Sequence, residues 1–273
     1  MRILSPSKIN LYLHIVGKRP DGYHELETLM APISLCDEMT VTAEGTGIAL
    51  TCSDPSLPVD ARNLAYKAAD LFLKTHGLDR GVRLHLDKKT PVGAGLGGGS
   101  GNAAAVLLAL RELLKPEVSD AELADLAAQI GSDVAFFIYR KPAVCRGRGE
   151  RIEPVVLEGN WSGLLVHPGF GVSTPWAYKT YAAQPRQGVA GKTRHGVTLR
   201  NDLEPPVFGK YVWLPEAKQW FQSQPEVWDA LMSGSGSSVF ALVNDGAAVE
   251  NLRGRFHAEF GGEIFSVPFT VQH

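Results

Sequence analysis

Residues 91 to 102 read Pro91-Val92-Gly93-Ala94-Gly95-Leu96-Gly97-Gly98-Gly99-Ser100-Gly101-Asn102, and no other stretch constrains the chain as strongly. Upstream, Val82, Leu84 and Leu86 alternate with Arg83, His85 and Asp87, the period of a half-buried strand. Downstream, Ala103 to Leu114 is apolar at almost every position, which predicts a helix buried on most sides. A glycine loop between a strand and a helix brings backbone close to a ligand and lets successive N–H groups converge on an anion. The helix adds its unbonded first-turn amides and the positive end of its dipole. The chemistry expected of the loop is phosphate binding, and the plain alternative is a glycine turn without a ligand.

Known phosphate loops narrow the choice. A Walker loop ends in Gly-Lys-Ser/Thr, and no lysine lies in this one. Gly93-x-Gly95-x-x-Gly98 satisfies the dinucleotide fingerprint, but the added glycines and Ser100 exceed it, and the second half lacks doubly wound alternation.

Composition sets outer limits. The chain has 273 residues, 44% hydrophobic and 21% charged, enough for one large or two modest cores. A net charge of −2 favours neither nucleic acid nor an anionic membrane, so phosphate must be bound by local geometry. Cys36, Cys52 and Cys145 are far apart and make no metal-ligand pair; reduced, mostly buried thiols in a cytoplasmic protein are expected. The histidines offer no H-x-x-x-H set, so no protein-held metal is expected. No apolar run suits a signal peptide or a bilayer span.

Along the chain, residues 8 to 16 alternate strictly. Ile9, Leu11, Leu13 and Ile15 are expected to face the core, and Lys8, Asn10, Tyr12 and His14 a cleft or solvent. Lys18 to Gly22 reads as a turn, and 38–43 and 47–52 as strands. A helix is expected over 63–76 with Gly77 ending it. Ser119-Asp120-Ala121-Glu122 is a capping box for another helix, with Gly131 as its stop. Residues 163–166 and 239–243 read as strands, 184–195 as a loop, 247–260 as a helix and 263–269 as a last strand. The pattern is α+β, with a domain boundary expected near 155, giving regions 1–155 and 156–273.

The loop, P-x-G-A-G-L-G-G-G-S before a helix of small residues, resembles the ATP loop of the GHMP kinases. Pro6-Ser7-Lys8-Ile9-Asn10-Leu11-Tyr12-Leu13, Arg19-Pro20-Asp21-Gly22-Tyr23-His24, Gly131-Ser132-Asp133-Val134 with Phe136-Phe137, and Ser233-Gly234-Ser235-Gly236-Ser237-Ser238 extend the likeness, in the family's order, over almost the whole chain. They are similar to the branch acting on a cytidine-diphosphate methylerythritol. The resemblance implies a ribosomal-protein-S5-like N-terminal domain and a ferredoxin-like C-terminal domain. It implies ATP with Mg²⁺ as phosphoryl donor, a small-molecule alcohol as acceptor, and a monomer or weak homodimer.

By resemblance, Asp133 is the base for the substrate hydroxyl and Lys8 its cationic partner. Without it, Asp133 could as well cap the turn that follows, and Lys8 would be a solvated strand lysine. Asn63 and Lys88 match positions around adenine and phosphates, and the loop from Pro91 to Gly101 forms the rest of the ATP site. Asn10, Tyr23, His24 and Tyr178 match positions lining the cytidine pocket, with cytosine expected between Tyr23 and Tyr178. Ser233 to Ser238, by itself a tight turn, matches a motif that lies against the phosphate loop. One departure stands out: the family usually carries two serines after the triple glycine, and here Ser100 is followed by Gly101. Rival expectations are another small-molecule kinase of the family, a nucleotide sensor without catalysis and, more remotely, a dehydrogenase.

Overall fold

The computed structural model describes residues 1–273, and the strand expected over 8–16 is the middle of a longer one, β1 (Arg2–Lys18). Its apolar set is buried as the alternation requires. Lys8 and Asn10 are buried too, at 4% and 2% exposure, so protein rather than open solvent surrounds both faces of the strand there. A turn closed by Arg19 N–H donating to Tyr23 O leads into β2 (His24–Thr42), of which the sequence shows only the distal end. Then come β3 (Ile48–Cys52), α1 (Leu64–Thr75) and β4 (Val82–Asp87). Asn63 caps α1 by accepting from Ala65 N–H.

Helix α2 (Gly98–Leu114) starts at Gly98, not at Ala103, so part of the glycine run is its first turn. Helix α3 (Asp120–Ala128) has the full Ser119/Glu122 capping box but ends at Ala128, capped by Gln129, before Gly131 is reached. There follow α4 (Val134–Tyr139), β5 (Ala143–Gly147), β6 (Arg151–Pro154), β7 (Ser162–His167) and α5 (Thr174–Ala183). Three two-residue strands, β8 (Thr193–Arg194), β9 (Val197–Thr198) and β10 (Arg200–Asn201), precede α6 (Glu204–Phe208) and α7 (Trp213–Gln222). The chain finishes with β11 (Val227–Met232), β12 (Val239–Val243), α8 (Val249–Phe260) and β13 (Phe265–Thr270). No helix is long and apolar enough to cross a membrane.

The chain divides into two compact units, both discontinuous in sequence. The first holds residues 1–7, 35–90 and 97–141. In it β4 lies between an antiparallel β2, paired Glu38 to Asp87 through Thr42 to Arg83, and a parallel β3. Helix α2 packs against α1 and α4, and its residues from Gly101 to Leu110 are buried on all sides, as an apolar helix in the middle of a layer must be.

The second unit holds residues 8–34, 91–96 and 142–273. Here β2 pairs with β5 and β5 with β6, both antiparallel, while β1 meets β10 in parallel at Tyr12 and Leu13. A separate sheet has the order β11-β12-β7-β13, antiparallel throughout. The strands follow one another as strand, helices, strand, strand, helix, strand, which is the ferredoxin-like arrangement expected from the resemblance. One side of this sheet carries an aromatic stack. Phe256 lies 5.0 Å from Phe221 at 10° and 4.7 Å from Phe260 at 19°, with Trp220 edge-on.

Phe256 is fully buried in that stack. Phe256→Ala is expected to cost about 3–5 kcal/mol through lost contacts and a residual cavity. Chemical denaturation read by far-ultraviolet circular dichroism measures it.

Candidate active site

The glycine loop is fastened by its oxygens. Within the second unit, Ala94 O accepts from Ser238 N–H at 3.1 Å, and Leu96 O from Lys8 N–H at 2.9 Å. Gly95 O accepts from both the Lys8 ammonium (2.9 Å) and the Ser233 hydroxyl (3.0 Å). Within the first unit, Gly97 O accepts from Gly101 N–H at 2.8 Å. Four successive carbonyls are therefore used as acceptors. The first-turn amides of α2, by contrast, have no carbonyl one turn earlier in the helix to bond. A loop tied down through its acceptors, ending at the positive pole of a long helix, is arranged to receive an anion on its donors.

Gly95 must be glycine on two counts. Its φ is +77°, and a Cβ there would run into the carbonyl of Ser233 and lie 2.9 Å from that of Gly236. The Ser233–Ser238 turn that presses on it is held from behind. Asn201, wholly buried, donates its side-chain amide to Met232 O and Gly234 O, each at 2.8 Å. Ser237 donates to Phe170 O and so accepts from His167 Nδ1 at 3.3 Å. Burial lowers the pKa of His167 and favours the uncharged ring.

Lys8 belongs to this support. Its ammonium donates to Asn10 Oδ1 at 2.7 Å as well as to Gly95 O, which satisfies a cation that would be costly to bury alone. Asn10 in turn donates to Thr28 Oγ1 at 2.8 Å, and Thr28 to Tyr12 O at 2.6 Å. Lys8 and Asn10, from the row expected to face a cleft, thus belong to a chain of hydrogen bonds ending on the glycine loop.

In the first unit, the Lys88 side chain is 7% exposed and its ammonium pairs with the fully buried carboxylate of Asp37. Asn63 spends its side chain on Ala65 N–H and Pro58 O, so it organises the start of α1. Ser100 stands half-buried in the first turn of α2. Gly101 has a packing reason: a Cβ there would lie 2.7 Å from Pro6 O and 3.0 Å from Ser5 Oγ. Position 101 points into the protein against β1, where a hydroxyl would serve no phosphate or metal. Asp133 is the residue immediately before α4, but its side chain makes no capping bond. The capping role weighed from sequence is therefore absent.

The aromatic residues gather in the second unit. His24 stacks on Tyr178 with centroids 5.4 Å apart at 27°, and Tyr181 meets His24 edge-on at 6.3 Å. Burial, aided by Lys18, lowers the His24 pKa and favours the uncharged ring. Tyr23 is 55% exposed and lies under the Arg148 guanidinium at 4.9 Å. The sequence had pointed to Tyr23, His24 and Tyr178 but to neither Tyr181 nor Arg148. It also passed over Asp37, Asn102 and Asn201. Asn102 carried a signal, being the polar residue heading an otherwise apolar helix; Asp37 and Asn201 had only their isolation in apolar surroundings.

Comparison with known proteins agrees with this geometry. The family description "GHMP kinases N terminal domain" matches residues 63–141, and "GHMP kinases C terminal" matches residues 190–262. A 4-diphosphocytidyl-2-C-methyl-D-erythritol kinase of Methylacidiphilum infernorum (isolate V4) is 53% identical over 246 residues, covering 88% of this chain and 85% of its own. One from Geobacter sp. (strain M21) is 38% identical over 273 residues, covering 94% and 97%. A crystal structure of 4-(cytidine 5'-diphospho)-2C-methyl-D-erythritol kinase superposes with a TM-score of 0.82 at 34% identity, over 100% of both chains.

The packing at position 101 has a measurable consequence. Gly101→Ser is expected to lower stability by about 1–3 kcal/mol, the usual range for overpacking. Thermal melts with and without Mg·ATP check it, and ATP is expected to recover none of the loss.

Proposed function

The chain belongs to the GHMP kinase family, and on that premise we propose that it transfers the γ-phosphoryl group of ATP to the 2-hydroxyl of 4-diphosphocytidyl-2-C-methyl-D-erythritol. The products are the 2-phosphate and ADP, a step of the non-mevalonate route to isoprenoid precursors, carried out in the cytoplasm. The observation that carries the proposal is the glycine loop bound through four successive carbonyls at the head of α2. The relatives named above supply the acceptor.

Each step has a candidate among the chain's residues. The loop from Pro91 to Gly101 would wrap the ATP phosphates, with the α2 dipole and first-turn amides offsetting their charge. Magnesium carried by the nucleotide would neutralise phosphate charge and keep most of its waters, and Ser100, in the first turn of α2, would lend its hydroxyl to it. Asn63 would act at the adenine side by fixing the segment before α1. As the acceptor oxygen bonds to the γ-phosphorus, the bond from that phosphorus to the bridging oxygen breaks. ADP leaves with that oxygen, and the hydroxyl proton passes to the Asp133 carboxylate. Lys8 would stabilise the charge that develops. His24 and Tyr178, with Asn10 and Tyr23, would receive the cytidine end, a flat base being suited to the aromatic faces. Regions 1–155 and 156–273 would be the family's two domains, a division along the sequence that differs from the two discontinuous compact units.

A coupled assay of ADP release with the cytidyl alcohol tests the proposal, and no ADP above the ATPase blank would refute it. Asp133→Asn is expected to lower kcat by roughly 100-fold or more, in line with loss of a general base, with ATP affinity retained. Tyr178→Ala is expected to raise KM for the cytidyl alcohol about tenfold, from a stacking loss of about 1–3 kcal/mol, with kcat within about twofold.

A further inference from the structure

The two feet of the glycine loop converge on one carboxylate. Asp37, on β2, is completely buried. Its Oδ1 accepts from Lys89 N–H at 2.8 Å and Thr90 N–H at 2.7 Å, the residues immediately before the loop. Its Oδ2 accepts from Asn102 Nδ2 at 2.9 Å, at the loop's far end, and from the Lys88 ammonium. Asn102 also donates to Ser5 Oγ at 2.9 Å, and Thr90 shares a hydrogen bond of 2.7 Å with Ser7. All these residues lie in the first unit.

From this convergence we infer that Asp37 is a positioning residue for the phosphate loop: it fastens both ends of the loop and takes the Lys88 ammonium as its counter-ion. A carboxylate buried to this degree is stable only with its lone pairs engaged, and four donors engage them here. Each donor comes from a residue whose displacement would move the loop. Lys88 is thereby committed. The Cβ of a residue at Gly98 would lie 2.9 Å from its Nζ, so the ammonium sits beneath the first turn of α2, enclosed and already neutralised. Its part in nucleotide binding is to hold that turn, not to supply free charge to a phosphate.

The inference rests on the loop binding ATP, and the test separates the two. Equilibrium dialysis with ATP and with CDP is run on the wild-type chain and on Asp37→Asn, well below the melting temperature of each. Asn at 37 keeps the size but cannot accept from Asn102 and Lys88 as the carboxylate does. The expected result is at least about tenfold weaker ATP binding with CDP binding within twofold. Equal weakening for both ligands would mean a general structural role and overturn the inference, as would ATP binding within twofold of wild type. A wild-type chain that binds no ATP would overturn the proposed function and this inference with it. Should Asp37→Asn fail to fold because Lys88 is left buried and unpaired, Asp37→Asn with Lys88→Met removes both charges, and the same two affinities decide.

Discussion

A single oxygen, the carbonyl of Gly95, accepts from the Lys8 ammonium and from the Ser233 hydroxyl, and the shape of the glycine loop follows from that double claim. A glycine-rich segment has more conformational freedom to lose than any other, so it holds one shape only when bonds outside itself fix it. Here the fixing bonds fall on the acceptors. The donors are what an anion requires, and the chain achieves this arrangement with a net charge of only −2. The supports are themselves supported: Lys8 by Asn10 and Thr28, the Ser233 turn by Asn201.

This layering explains why most of the polar side chains around the loop are deeply buried. Lys8, Asn10, Asp37, Asn102 and Asn201 each expose 4% or less of their surface. Buried polar groups are costly when a partner is missing and rigid when every partner is present. The packing of α2, buried from Gly101 to Leu110, leaves the helix little freedom to shift under its own first turn. Each unit thus has its own source of rigidity: hydrogen-bonded polar side chains in both, and close apolar packing around α2 in the first.

Much of this was legible in the sequence because local rules dominate there. The glycine loop, the strand before it, the capping box at Ser119 and the helix after Asn63 are patterns of neighbouring residues, and each appears close to where the residues place it. The α2 start at Gly98 was missed because glycine is a poor helix former, and tertiary packing overrides that preference. β5, β6 and β11 are short and have no place in the sequence reading, and neither does α7, although Leu214, Ala217 and Phe221 stand at helical spacing in it. Asp37 was invisible for a different reason. A carboxylate whose donors come from residues 88 to 102 has no local signature, since its partners meet only after β2 and β4 have paired. The stacking of His24 on Tyr178 is likewise a meeting of distant segments, with each ring nameable in advance and the pairing not.

The glycine at position 101 carries a lesson about substitution. With the carbonyl of Pro6 2.7 Å from where a Cβ would stand, a serine there cannot be gained by one substitution alone without moving backbone. The strand carrying Ser5 and Pro6 would first have to retreat. Residues 5, 6 and 101 therefore form one packed set, and the effect of a side chain at 101 depends on the strand beside it. Glycine at this position thus answers to the neighbouring strand.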